Sequence, residues 1–273
     1  MNRRGFLLRA VGSAGACGGL AGCADLSVGG GGRVATERDP PDRPDELAPE
    51  SVAEYVAAYE EVHAHNRYAA EGAVEVTVDA DASIDHASGN DHYATAQHAG
   101  SVSHEHDDGA RSVGEVYADP VPYLVTPDRT LRMAVERRAV EADVQNGDGG
   151  DDTAPDDERT SFPLGVRLLN VTEEARELTL TVTRRVMADG SRADGETVTD
   201  LDIAIEPGTA VEARSITDVR GGYRITARTE NNGVTGEGRI QAGLPSVDRG
   251  PNVDVVLDGS GVSTWLLPPF EGI

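Results

Sequence analysis

Apolar residues at Val52, Tyr55, Val56, Tyr59 and Val62 follow the i, i+3, i+4, i+7 spacing of one helix face. Ser51-Val52-Ala53-Glu54 ahead of them matches a capping box, and Gly72 behind them is a natural stop. The spacing predicts a helix over 52–71. Strand patterns follow. Val74 to Val78 alternates with period two, and His92 to Val102 reads as a polar strand. Val113 to Val125 carries Pro120 and Pro122, which makes it an edge strand or two short pieces with a bend. Thr130 to Glu136 alternates again. One helix laid on a few antiparallel strands predicts a small α+β domain over 51–145.

Residues 146–160 are an acidic Gly/Asp stretch that reads as a linker. After it the period stays at two. Leu178, Leu180 and Val182 form one inward row, Leu201, Ile203 and Ile205 the next, and Tyr223, Ile225 and Ala227 another. Asp189-Gly190, Asp194-Gly195, Pro207-Gly208 and Asn231-Asn232-Gly233 divide the rows with turn signals. Short strands at this spacing predict an all-β sandwich over 161–273, closed by a hairpin of Val253–Leu257 and Val262–Leu266 that carries Trp265.

The first 23 residues have a different character. A basic start with Arg3 and Arg4 leads into Phe6-Leu7-Leu8 and a short, glycine-rich apolar run. Asn2 to Leu8 resembles the twin-arginine export motif, and Leu20-Ala21-Gly22-Cys23 is similar to a lipobox. The resemblance implies that 1–22 is a signal peptide and that Cys23 becomes a lipidated first residue. The chain is then expected on the cell membrane, facing the extracellular side, anchored rather than spanning. Residues 23–50, rich in Gly, Pro and charge, read as a disordered tether.

Composition sharpens this picture. The 273 residues carry 48 acids against 24 arginines and no lysine, a net charge of −24. Loss of 1–22 removes three arginines and no acid, leaving 251 residues at −27. This acidity resembles proteins of halophilic archaea, and it argues against nucleic acid as a partner. Cys17 and Cys23 are the two cysteines, so the domains beyond the anchor hold no disulfide. Segment 164–229 resembles the immunoglobulin-like domains frequent in surface proteins of such organisms. Leu168-Leu169-Asn170-Val171-Thr172, Glu206-Pro207-Gly208 and Gly222-Tyr223 carry that likeness. The whole arrangement resembles exported archaeal lipoproteins, a likeness that brings no catalytic residue with it.

All seven histidines fall between 63 and 106. On the predicted helix His63 lies at the apolar stripe and His65 points away to solvent. His104 and His106, with Asp107 and Asp108 behind them, are close enough to grip one ion. A zinc or copper site would need a further ligand such as His98 or His86. Asn170-Val171-Thr172 is a glycosylation sequon. No nucleophile elbow, zincin helix or phosphate loop with lysine occurs. The expectation is a lipid-anchored binding or cell-envelope module, not an enzyme, with an unknown protein or envelope partner and no cofactor. The alternative is a metal-binding lipoprotein using region 86–106.

Overall fold

Helix α1 spans Pro49–Ala70. Pro49 opens it, where a missing N–H costs nothing. Ser51 therefore sits inside the first turn instead of capping it. Its Oγ accepts the Ala48 N–H at 3.1 Å and donates to the Glu46 carbonyl at 2.8 Å. The helix ends at Ala70, two residues before Gly72, whose φ of +92° suits only glycine. The computed structural model from which these elements come describes residues 34–140, 156–231, 234–246 and 251–268. Arg3, Arg4, Cys23 and residues 146–155 of the predicted acidic linker lie outside the described residues.

Residues 34–48, assigned above to the tether, run along α1 without regular secondary structure. Ala35 N–H bonds the Ala73 carbonyl at 2.7 Å, and Arg38 pairs with Glu61 at 2.9 Å. Arg43 reaches the Thr126 and Pro127 carbonyls.

Five strands form the first sheet: β1 (Glu75–Ser88), β2 (Asp91–Glu105), β3 (Arg111–Tyr117), β4 (Val121–Val125) and β5 (Thr130–Arg132). β2 is its spine. β1 pairs along one edge, while β4 takes residues 92–96 of the other edge and β3 takes 99–105. The proline-containing stretch is thus two pieces of one row, broken before Val121. Alternation sends Ala94, Ala96, Tyr123 and Val125 to α1, where they pack on Val52, Tyr55 and Val56. Tyr93 and Leu124 face the other way.

The chain then changes sheets at Met133, which is fully buried. β6 (Ala134–Ala139) follows and pairs in parallel with β10 (Thr209–Val219). The second sheet runs β14 (Gly261–Leu266), β13 (Val253–Asp258), β7 (Arg159–Asn170), β10, β6. The third runs β12 (Val234–Leu244), β11 (Gly221–Asn231), β8 (Arg176–Val186), β9 (Thr197–Ile205). Leu164, Val166, Leu168, Val253 and Val255 of the second sheet meet Leu180, Val182, Ile203 and Ile225 of the third in one core. The predicted sandwich is present as these two sheets. Gly236 and Gly238 let β14 lie close to β12, because a Cβ at either would meet Val262 or Thr264 at 3.0 Å or less.

The second sheet is buried on both faces. Leu169, Val171 and Val256 on its far side pack against Tyr93 and Leu124 of the first sheet, with Trp265 at the margin. Within Arg33–Ile273 the described residues therefore form one unit of four layers, in the order helix, sheet, sheet, sheet. The strand that closes the N-terminal half, β6, belongs to the C-terminal sheet, so the boundary suggested by the Gly/Asp stretch does not separate two cores.

Candidate functional site

Between the first and second sheets lies a buried group of charges. Ile84 opposes Ala94 and His86 opposes Tyr93, so Asp85 is the extra residue of a β-bulge. The bulge turns Asp85 and His86 toward the same neighbours, where regular alternation would part them. Arg167 of β7 donates through Nε and Nη2 to both oxygens of Asp254 at 2.7 Å. Its Nη2 also reaches Asp85 Oδ2 and its Nη1 reaches Thr95 Oγ1, each at 2.7 Å. His86 is stacked between Tyr93 at 4.4 Å and Trp265 at 4.7 Å, with Nε2 3.3 Å from Asp254. Burial drives both carboxyls toward the neutral form. The two-pronged grip of Arg167 and the His86 contact outweigh it at Asp254, whose pKa is lowered. Asp85, held by one prong and facing the Asp254 charge, has its pKa raised. Asp85 thus takes the first proton on acidification.

A second buried centre lies between α1 and the first sheet. Glu60 is fully enclosed and receives His98 Nδ1 at 2.7 Å, Arg132 Nε at 2.7 Å and Nη2 at 3.1 Å, and the Tyr123 hydroxyl. An ionised carboxylate only accepts, so His98 carries its proton on Nδ1. Burial raises the Glu60 pKa, but these donors overcome it and hold the carboxyl at about 2. Burial and Arg132 lower the pKa of nearby His63.

These two centres scatter the histidines. His98 is fully buried and committed to Glu60. His106 lies in the exposed turn after β2 and bonds Ser112 Oγ at 3.1 Å. His104 pairs with Ser112 across the β2–β3 ladder, six residues along from His98, or about 20 Å of strand. His86 is on the opposite face, in the bulge. No three His, Cys, Asp or Glu among the described residues converge as a metal site. The set His98, His104, His106 is therefore not brought together. His65, expected in solvent, is buried, and its Nε2 meets the Thr36 carbonyl at 2.9 Å. The folded strap of residues 34–48 covers it, which helix periodicity alone does not foresee.

Asn170 is likewise inside. Its Nδ2, the atom a glycan would join, donates to the carbonyls of Glu174, Ile205 and Glu206 at 2.8–3.2 Å. Its Oδ1 accepts from Thr172, and its carbonyl accepts the Gly208 N–H. Asn170 is a clamp between the end of β7 and the Pro207-Gly208 turn, not an available acceptor in the folded chain. Asn170→Ala is expected to cost about 1–3 kcal/mol in denaturant unfolding, since three carbonyls lose their donor. Intact mass of the wild-type protein should show no glycan at this residue.

Where the interior uses its polar groups on itself, the third sheet keeps a face for solvent. Arg224 and Arg228 of β11, Arg239 of β12 and Arg185 of β8 surround a hollow of about 240 Å³ floored by Thr181, Thr183 and Thr226. A second hollow of about 490 Å³ shares Arg224 and Arg239 and is completed by Ile240 and Gln241. Glu237 bridges Arg228 and Arg239. No described carboxylate pairs with Arg224 or Arg185, and Arg185 Nε has no hydrogen-bond partner. Sequence reading passed over this face because alternating Thr and Arg looks like any solvated strand side. The signal is the pairing register, which sets Arg224 and Arg228 beside Thr183 and Thr179 on one side and Gln241 and Glu237 on the other.

No protein-family model, no curated protein and no solved structure matches this chain. Among the described residues no helix is long and apolar enough to cross a membrane.

Proposed function

We propose that this chain is an exported protein, lipid-anchored to the cell membrane and facing its extracellular side, whose layered β body is a binding or cell-envelope module without catalytic chemistry. The observation that carries the reading is the order of features in 1–23: paired Arg3 and Arg4, a short apolar run, then Leu20-Ala21-Gly22-Cys23. The strongly acidic, lysine-free composition fits a protein exposed to high salt.

Two features support the finer reading of the sandwich as immunoglobulin-like. β7 pairs with β10 in one sheet while β8, β9, β11 and β12 make the other, the alternation of an immunoglobulin Greek key. Tyr223, near the start of β11, donates its hydroxyl to the Val219 carbonyl four residues upstream at 2.5 Å. That contact is similar to the tyrosine corner of such folds.

Cys23→Ser tests the anchor. The wild-type protein is expected to sediment with membranes and to lose 1–22, and the variant to leave the membrane fraction. Continued sedimentation of the variant, with the wild type keeping its first 22 residues, would overturn the reading.

A further inference from the structure

We infer that the outer face of the third sheet binds a polyanionic carbohydrate, a sugar chain bearing carboxylate or sulfate groups. The inference rests on the extracytoplasmic reading for where such a chain is met. The face itself supplies the chemistry. Four guanidiniums border one hollow, where Glu237 pairs with two of them and Asp200 accepts from the lining residue Thr181, in a chain whose net charge is −24. Glu237 pairs with both Arg228 and Arg239, whose side chains stay more than half exposed, at 57% and 60%. Arg224 lies between them and the Thr183 row, with its charge uncompensated by any described carboxylate. Guanidinium forks match planar carboxylate and sulfate oxygens in pairs.

The occupant's shape follows from the sheet. Diagonal neighbours Arg224 and Arg239 lie about 7–8 Å apart, and Arg224 and Arg228 about 13 Å apart along one strand. A ligand that engages all of them is extended and carries repeated charges. Of the threonines between the arginines, Thr181 donates to Asp200 and Thr183 to the Arg224 carbonyl, which leaves Thr226 Oγ1 as donor and acceptor for a sugar hydroxyl. No aromatic side chain stands among the residues bordering either hollow, so stacked bases find no platform.

The test uses the full chain in detergent and measures binding to immobilised dextran sulfate, carboxymethyl dextran and neutral dextran. Poly-glutamate and single-stranded DNA serve as competitors. The expected result is retention on one or both charged dextrans and none on neutral dextran. The Arg224→Ala/Arg239→Ala variant should bind at least tenfold more weakly with an unchanged melting temperature, and Arg224→Lys should restore charge without restoring affinity. Equal binding by wild type and double variant, or by no dextran at all, would overturn the inference. Tighter binding of poly-glutamate or DNA than of the charged dextrans would overturn the carbohydrate class. Detergent-solubilised protein binds irrespective of its lipid, so a failed anchor and a failed ligand are told apart.

Discussion

Replacing Arg167 with methionine should destabilise the chain by about 3–5 kcal/mol, because it leaves Asp85 and Asp254 facing each other without a counter-charge in a dry layer. The measurement is denaturant unfolding followed through Trp265, the single tryptophan, which is stacked on His86 at the edge of the same cluster. The pH dependence should change as well, because Asp85 is already raised in the wild type and loss of Arg167 should raise Asp254 too. In the wild type, the depressed Asp254 pKa contributes stability above the usual carboxylate range that is lost as pH falls. Without Arg167, the buried carboxyls have raised pKa values and penalise the fold when ionised. The variant should then gain on the wild type as pH drops. Substituting Asp85 and Asp254 with leucine in the same background should recover most of the loss, since an apolar layer has no charge to compensate. No recovery in the triple variant would mean that packing, and not charge, sets the cost.

The second large effect belongs to Glu60. Glu60→Gln keeps the shape but withdraws the charge that Arg132, His98 and Tyr123 all address, and about 3–5 kcal/mol of stability should go with it. In the wild type the Glu60 pKa falls from 4.5 to about 2 on folding. Its contribution of about 3 kcal/mol is complete above pH 4.5 and disappears as pH falls toward 2. Acid titration of unfolding should show that decline, and Glu60→Gln should flatten it. A variant as acid-sensitive as the wild type would assign the dependence to other carboxylates.

Both centres lie where periodicity is least informative. The α1 stripe, the rows of the sandwich and the broken row of Pro120 can be read from sequence, because each element has one apolar and one polar side. β7 and β13 are different. Leu164-Gly165-Val166-Arg167-Leu168-Leu169 reads as alternation with Arg167 outward, and outward here means another sheet. The available signal was the near-continuous apolar run of both strands, which marks burial on two faces. The bulge at Asp85 and the change of sheet at Met133 leave no trace in composition, since each is a matter of one residue's pairing. Glu60 and His98 are polar letters 38 apart, and only the packing of α1 on β2 makes them partners. The arginine face needs the order of β8, β11 and β12, which turn signals alone do not provide.

The switch at Met133 also bears on how the chain tolerates being divided. A protease or an engineer choosing the Gly/Asp-rich stretch would leave β6 on the N-terminal fragment, torn from β10. That fragment would show the Tyr93 and Leu124 face to water, and the other would show Leu169 and Val256. Each piece would also own an unpaired strand edge, the feature that recruits further chains into aggregates. Cleavage between the halves is therefore expected to produce a nicked pair that stays together, and separate expression to produce two insoluble products.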